Sequence, residues 1–396
     1  MFPKLRFKEF DGDLTESKLV ELTSWASGGT PAKDVPEYWG DDIPLISGAS
    51  MHTNQLYESD VKITKLGLQK GSKLALKDSI LILVRGSMLF NKIPMGITLG
   101  DVAFNQDVKC IRPKQQLAPL FLFQWLHAKE NTIQNKVTAT GIGAGKLDTA
   151  DLQNLKLYKP SLEEQTKIAT FLSAVDEKIS QLTQKHQLLR EYKQGMMQKL
   201  FSQQVRFKAD DKSEFGEWEE KELKEVAEIN PKAKKLPANF IYIDLESVEK
   251  GQLLLQKNIE LQDAPSRAQR LLAKGDVLFQ MVRPYQQNNY YFNLSGEYVA
   301  STGYAQIRTK LDSKFIYYAL HEKTFLDEVM NRCTGTSYPA INSSDLSSIE
   351  ILIPCLEEQT KIANFLSAID QKIEVVAQQI EQAKTWKKGL LQQMFI

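Results

Sequence analysis

Side chains that could do chemistry in this chain gather in a few polar runs whose composition suits reading nucleic-acid bases. Arg283-Pro-Tyr-Gln-Gln-Asn-Asn289 sets an arginine, a tyrosine and four amides just behind the apolar segment Asp276-Val-Leu-Phe279. Arginine forks onto guanine and amides fork onto adenine, while other polar groups and cations suit phosphate oxygens. Arg283, Tyr285, Gln287 and Asn288 are therefore candidate DNA contacts, and Ser266, Arg267 and Arg270 form a second group nearby. The competing reading of these arginines is surface solubility, or ion pairs within the acidic segment that holds them. In the first half of the chain, Arg85-Gly-Ser87 follows the apolar run Ile80–Val84, with Asn91 and Lys92 close behind. Thr30, Lys33, Tyr38 and Trp39 make a further loop, although Tyr38 and Trp39 suit packing equally well.

Other chemistries fail on spacing. Gly141-Ile-Gly-Ala-Gly-Lys146 suggests a phosphate cradle, but a P-loop needs GxxxxGK followed by Ser or Thr; Thr140 stands where the first glycine belongs and Leu147 follows the lysine. The corresponding stretch Gly335-Thr-Ser-Tyr-Pro339 has lost the glycines, so Lys146 and Tyr338 are better read as loop contacts beside DNA. Asn230-Pro-Lys232 is no methylase motif, and neither GxGxxG nor HExxH occurs. Cys110, Cys333 and Cys355 lack CxxC spacing and fit a reducing cytosol, and the four histidines form no ligand cluster. No metal, cofactor or catalytic constellation is expected. The longest undiluted apolar run, Ile80–Val84, is far too short to span a bilayer.

Net charge is +1 over 396 residues, which offers no bulk support for DNA binding. It divides as +3 for 1–160, +1 for 161–203, −3 for 204–354 and 0 for 355–396. Any hold on DNA must come from local patches or from basic partners.

What must position these loops is an internal repeat. LEEQTKIATFLSAVDEKI at 162–179 and LEEQTKIANFLSAIDQKI at 356–373 share fifteen of eighteen residues, 194 positions apart. The match runs on to Phe201 and Phe395 and upstream to Leu126-His127 and Leu320-His321, then past a two-residue slip to Ile111-Arg112 and Ile307-Arg308; before that the halves diverge, apart from Arg6-Phe7-Lys8 and Arg206-Phe207-Lys208. The repeated segments read as helices that start after Pro160 and Pro354, with paired glutamates suiting the first turn. Apolar positions recur in steps of four and three: Ile168, Leu172, Val175, Ile179, Leu182, His186 and Leu189 in one copy, Ile362, Leu366, Ile369, Ile373, Val376, Ile380 and Ala383 in the other. Such stripes cannot face water, so the helices are expected to pair antiparallel, each a rod of about 60 Å. Separate packing of each helix on its own domain is the alternative. Lys193 and Lys387 interrupt both stripes at matching positions. The dissimilar segments read as mixed α/β (α+β) domains. Expected boundaries are 1–160 for a first recognition domain, 161–203 for a helical spacer, 204–354 for a second domain and 355–396 for a second spacer. The Arg-Phe-Lys marks further suggest a pseudo-two-fold ring with Met1 close to Ile396.

The chain resembles the HsdS specificity subunits of type I restriction-modification systems over essentially its whole length. Pro160-Ser-Leu-Glu-Glu-Gln165 and Pro354-Cys-Leu-Glu-Glu-Gln359 carry the resemblance, joined by Gly28-Gly-Thr-Pro31, Tyr38-Trp-Gly40 and Asp42-Ile-Pro44 in the first half. Tyr242-Ile-Asp244, Ser266-Arg-Ala-Gln-Arg270, Gly275-Asp-Val-Leu-Phe279 and Val282-Arg-Pro-Tyr285 complete it in the second. The resemblance implies a non-catalytic cytoplasmic subunit that reads a bipartite, asymmetric site on double-stranded DNA with one domain per half-site. It implies two adenine methyltransferase subunits as partners and, through them, two restriction subunits, with S-adenosylmethionine, ATP and magnesium held by those partners. A cytosolic coiled-coil adaptor with two protein-binding domains is the alternative, motivated by the near-neutral charge.

Overall fold

Continuous apolar character makes Ile80–Leu83 a central strand with every residue buried. It lies in a five-stranded sheet in the order Thr23–Ser27, Val108–Pro113, Ile80–Leu83, Met95–Thr98 and Gln55–Leu56. A second sheet orders Lys62–Ile63, Trp39–Ile46, Val102–Phe104 and Lys73–Ala75. These sheets belong to one compact unit, Met1–Thr183 with Gln378–Ile396; Gln184–Ala377 forms another. The computed structural model describes residues 3–141, 143–233 and 235–395.

The second unit repeats the plan with different residues. Its first sheet orders Ala227–Ile229, Tyr304–Thr309, Val277–Gln280 and Tyr290–Tyr291, with the fully buried strand Val277–Gln280 in the place of Ile80–Leu83. Its second orders Lys257–Glu260, Asn239–Ile243, Tyr298–Ser301 and Ala268–Leu271. Glu222-Leu-Lys224 bridges the strand Glu219–Glu222 and the short helix Leu223–Val226.

Both repeated segments are helices, Leu162–Phe201 and Leu356–Met394, and each contributes to both units. Ser161 Oγ accepts the Glu164 amide at the first start. Within the first unit, Ile168, Leu172 and Val175 share a core with Leu390, Leu391 and Met394. Within the second, Leu200 and Phe201 share a core with Ile362, Leu366 and Ile369. Opening turns of each helix thus meet closing turns of the other, and the pair runs antiparallel. Each also packs on sheet-bearing domains: Phe395 meets Phe121 at 5.4 Å, and Phe201 meets Phe315 at 5.6 Å between ring centroids. The two packings set against each other in the sequence therefore coexist.

The interrupting lysines are accounted for. Lys387 Nζ lies 2.5 Å from Asp176 in the first unit, and Lys193 Nζ lies 2.6 Å from Asp370 in the second. The same aspartates accept a domain group: the Gln124 amide at 2.8 Å and the Tyr318 hydroxyl at 2.6 Å.

Glu164 and Glu358, from the EQ pair that opens each helix, are almost completely buried. Arg6 forks onto Glu164 with both bonds at 2.7 Å; Arg206 forks onto Glu358 at 3.1 and 2.7 Å. Each arginine also donates to a glycine carbonyl, of Gly12 or Gly216. Hydrogen bonding to the carboxylates raises both guanidinium pKa values. The following glutamines, Gln165 and Gln359, donate to the Pro160 and Pro354 carbonyls and accept the Ala118 and Asp312 amides, tying helix start to domain.

Met1 and Ile396 lie outside the described residues, but their neighbours meet. The Leu5 amide donates to the Gln393 carbonyl at 2.9 Å, and the Val205 amide donates to Lys199 at 3.1 Å. The Leu5–Gln393 bond thus copies, across separate segments, the Val205–Lys199 bond within one continuous stretch of chain.

Glu358 also accepts the buried Trp218 indole N–H at 3.1 Å. Glu358→Ala leaves a part-buried guanidinium and a buried indole N–H without their carboxylate acceptor, and is expected to destabilise the second unit by about 2–3 kcal/mol. Urea unfolding monitored by tryptophan fluorescence measures this; a loss below about 1 kcal/mol contradicts the assigned role.

Candidate nucleic-acid interface

In the first unit, the chain leaving the buried strand Ile80–Leu83 turns outward at Arg85-Gly86 and joins a small three-stranded ribbon with Gly145-Lys146 and Thr138-Ala139. Arg85 stands directly opposite Lys146 in antiparallel register. Cross-strand partners share a face with Cβ atoms about 5 Å apart, so two cations are held side by side. Both are exposed, and neither forms a salt bridge among the described residues. Ser87, Asn91 and Lys92 follow on the 3-10 turn Ser87–Phe90 and its exit, all exposed. Ile142, in the glycine loop between the ribbon strands, lies outside the described residues.

The equivalent joint in the second unit follows the strand Val277–Gln280. Val282 bridges Ala340, which bridges Thr334, and the Arg283 amide donates to Pro339 at 2.7 Å. Arg283 stacks on the Tyr338 ring, its guanidinium carbon 4.3 Å from the centroid. Tyr338 and Tyr285 are both exposed. Two residues of this loop take left-handed backbone conformations, Arg283 at φ 54° and Gln287 at φ 52°. Non-glycine side chains adopt that region at a cost, so the surrounding structure must hold them in it.

Three residues beneath this loop are absent from the sequence-based candidates. Gln280, buried in the strand, donates to the Val282 carbonyl at 2.8 Å and to Gln286 Oε1 at 2.9 Å, and accepts the Asn288 amide at 3.0 Å. Buried Asn289 accepts the Gln280 amide at 2.8 Å and meets His321 Nε2 at 3.3 Å. Desolvation drops the His321 pKa to about 4, so the ring is neutral. Its Nδ1 donates to the Tyr317 carbonyl at 2.7 Å, which leaves Nε2 to accept from Asn289. The one available signal was the amide-rich run after a buried strand, which reveals nothing about which amides point inward. His127, the counterpart of His321, instead lies near Glu130 and stacks edge-on with Phe123.

The remaining candidates lie on other segments of the two units. The Thr30 hydroxyl donates to Gln106, Lys33 is exposed, and the Trp39 indole donates to the Ala32 carbonyl while its ring packs on Leu45 and Ile63. The Tyr38 carbonyl accepts the Thr64 amide at 3.0 Å. Gly28 and Gly29 in this loop are needed for close approach: a Cβ would fall 2.1 Å from the Phe104 carbonyl oxygen or 2.4 Å from that of Gly71. Ser266 and Arg267 are exposed. Arg270 lies in Ala268–Leu271, half-buried, with its Nε enclosed and unpartnered, and burial lowers its pKa. No group of three metal-ligating side chains occurs among the described residues.

A family model described as Type I restriction modification DNA specificity domain matches residues 12–190 and again 216–385, once per half. The chain belongs to this family. It is thus a specificity subunit, the non-catalytic member of a type I restriction-modification system. The MjaVIII specificity subunit of Methanocaldococcus jannaschii is 27% identical over 97% of this chain and 94% of its own length. The EcoR124I/EcoR124II specificity subunit of Escherichia coli is 29% identical over 46% of this chain and 45% of its own. Among solved structures, the S subunit from M. genitalium covers 100% of this chain and 99% of its own with a TM-score of 0.63 at 16% identity, a likeness of fold. No helix among the described residues is long and apolar enough to cross a membrane.

The specificity subunit keeps two cations opposed on one ribbon with no salt-bridge partner among the described residues, an arrangement that costs stability. Lys146→Thr is expected to stabilise the DNA-free first unit by about 0.2–1 kcal/mol. The gain should shrink as salt rises from 0.01 M to about 1 M. Thermal unfolding across that salt series tests it; destabilisation at low salt contradicts it.

Proposed function

We propose that this subunit reads a bipartite, asymmetric DNA site, with 1–160 and 204–354 as recognition domains for one half-site each. The repeated helices, 161–203 and 355–396, act as spacers and dock two adenine methyltransferase subunits. Two restriction subunits join through these, and the partners hold S-adenosylmethionine, ATP and magnesium in the cytoplasm. One observation carries the reading. At the same joint of the same fold, the first unit presents Arg85 and Lys146 while the second presents Arg283 and Tyr338. The framework below is repeated almost residue for residue, in Arg6–Glu164 and Arg206–Glu358 and in Lys387–Asp176 and Lys193–Asp370. Equal supports under unlike tips suit two readers of unlike sequences, and equal helices suit two copies of one partner.

The first joint is a phosphate clamp by its chemistry, two cations on a narrow ribbon. The second combines an arginine, an aromatic platform and amides, the mixture used on base edges. Ser87, Asn91 and Lys92 follow the first joint in the chain, and Tyr285, Gln287 and Asn288 belong to the second; Thr30, Lys33, Tyr38 and Trp39 supply further contacts in the first domain, and Ser266, Arg267 and Arg270 in the second.

Co-expression with the cognate methyltransferase subunit, followed by mapping of methylated adenines by single-molecule sequencing, is expected to yield a two-part motif with an unread gap. Arg283→Ala should relax or abolish only the half read by 204–354. A contiguous palindrome, or an Arg283→Ala motif identical to wild type, contradicts the assignment.

A further inference from the structure

We infer that Gln280, Asn289 and His321 form a buried clamp that positions the Arg283–Gln287 loop, making them positioning residues for the discrimination of the second half-site. The inference rests on the reading above. Arg283 and Gln287 both sit in left-handed conformations that their side chains disfavour, so something must hold the loop there. Among the polar groups reaching it from inside the fold, the amide of Gln280 grips both its ends: Val282 and Gln286 by donation, Asn288 by acceptance. Asn289 orients Gln280 through its backbone amide, and His321 orients Asn289 from the end of the helix Ser313–Ala319. His321 is in turn fixed by the Tyr317 carbonyl.

The chain of bonds runs from the helical side of the unit, through a buried strand, to the loop that carries Arg283, whose part-exposed guanidinium lies on Tyr338. Gln280 and Asn289 are 2% and 1% exposed and have no route to DNA themselves. Buried amides cost free energy unless satisfied, and an apolar strand residue would pack as well; their presence is explained by the loop shape they impose. The first unit has Leu83 near the corresponding strand end and no amide clamp is found there among the described residues. Its joint is instead held by ribbon pairing of Arg85-Gly86 with Gly145-Lys146.

Gln280→Met keeps volume and neutrality while removing all three grips. The assembled methyltransferase is assayed on duplexes carrying the mapped site and on duplexes with single-base changes in either half. The preference for the intact second half-site is expected to fall about tenfold or more, at the same base positions relaxed by Arg283→Ala, with first-half discrimination unchanged. Asn289→Ser, a milder lesion, decides the matter if Gln280→Met fails to fold. Wild-type second-half discrimination in a folded variant overturns the clamp, as does an equal loss in both halves. A wild-type complex with no two-part motif is a different failure, that of the underlying reading.

Discussion

Two glutamates almost without solvent, Glu164 and Glu358, stand where each long helix meets a sheet-bearing domain. Taking a carboxylate out of water is costly, and only a charge in close, well-shaped contact offsets it. Arg6 and Arg206 meet that need with a planar fork, and each spends a further N–H on a glycine carbonyl. These arginines arrive from segments 158 and 152 residues away in sequence. The bond that neutralises the helix start therefore also pins the strand-forming segment beside it. Gln165 and Gln359, one residue on, lock the domain to the same helix start. Helix and domain cannot be treated as separable parts.

That junction explains why similarity is unevenly spread along the chain. Residues that make the joint are shared because both copies solve the same electrostatic problem. The Lys–Asp pairs on the helices extend the point, since Asp176 and Asp370 each accept from the opposite helix and from a domain. Beyond the framework nothing enforces likeness. The tips of the two domains differ in how they are built: one is a paired ribbon bearing opposed cations, the other a strained loop held from inside by amides.

The near-neutral charge is intelligible in these terms. Much of the acidic content of the second unit is already engaged, as in the pair of Asp276 with Arg308, where the carboxylate is 1% exposed. Arg283 is not so engaged; it lies on an aromatic ring at the surface. Bulk charge thus says little about the field at a given loop. A few uncompensated cations at the right place outweigh a formal total.

From the sequence alone came the duplication, the two helices, the pairing of their stripes and the division into unlike domains, because periodicity and repetition are properties of order along a chain. Arg283, Tyr338, Arg85 and Lys146 were also legible as surface polar residues, one by one. The sequence could not show that Arg85 faces Lys146 or that Arg283 lies on Tyr338, since these pairs are about sixty residues apart and only sheet register joins them. Nor could it separate Asn289, turned inward beneath the loop, from Asn288 beside it, because one residue of register in an extended chain reverses which side chain faces the core. Lys193 and Lys387 looked like flaws in an apolar seam until the fold brought Asp370 and Asp176 to them. Which charges are compensated is decided by three-dimensional neighbours, and that is what tertiary structure added.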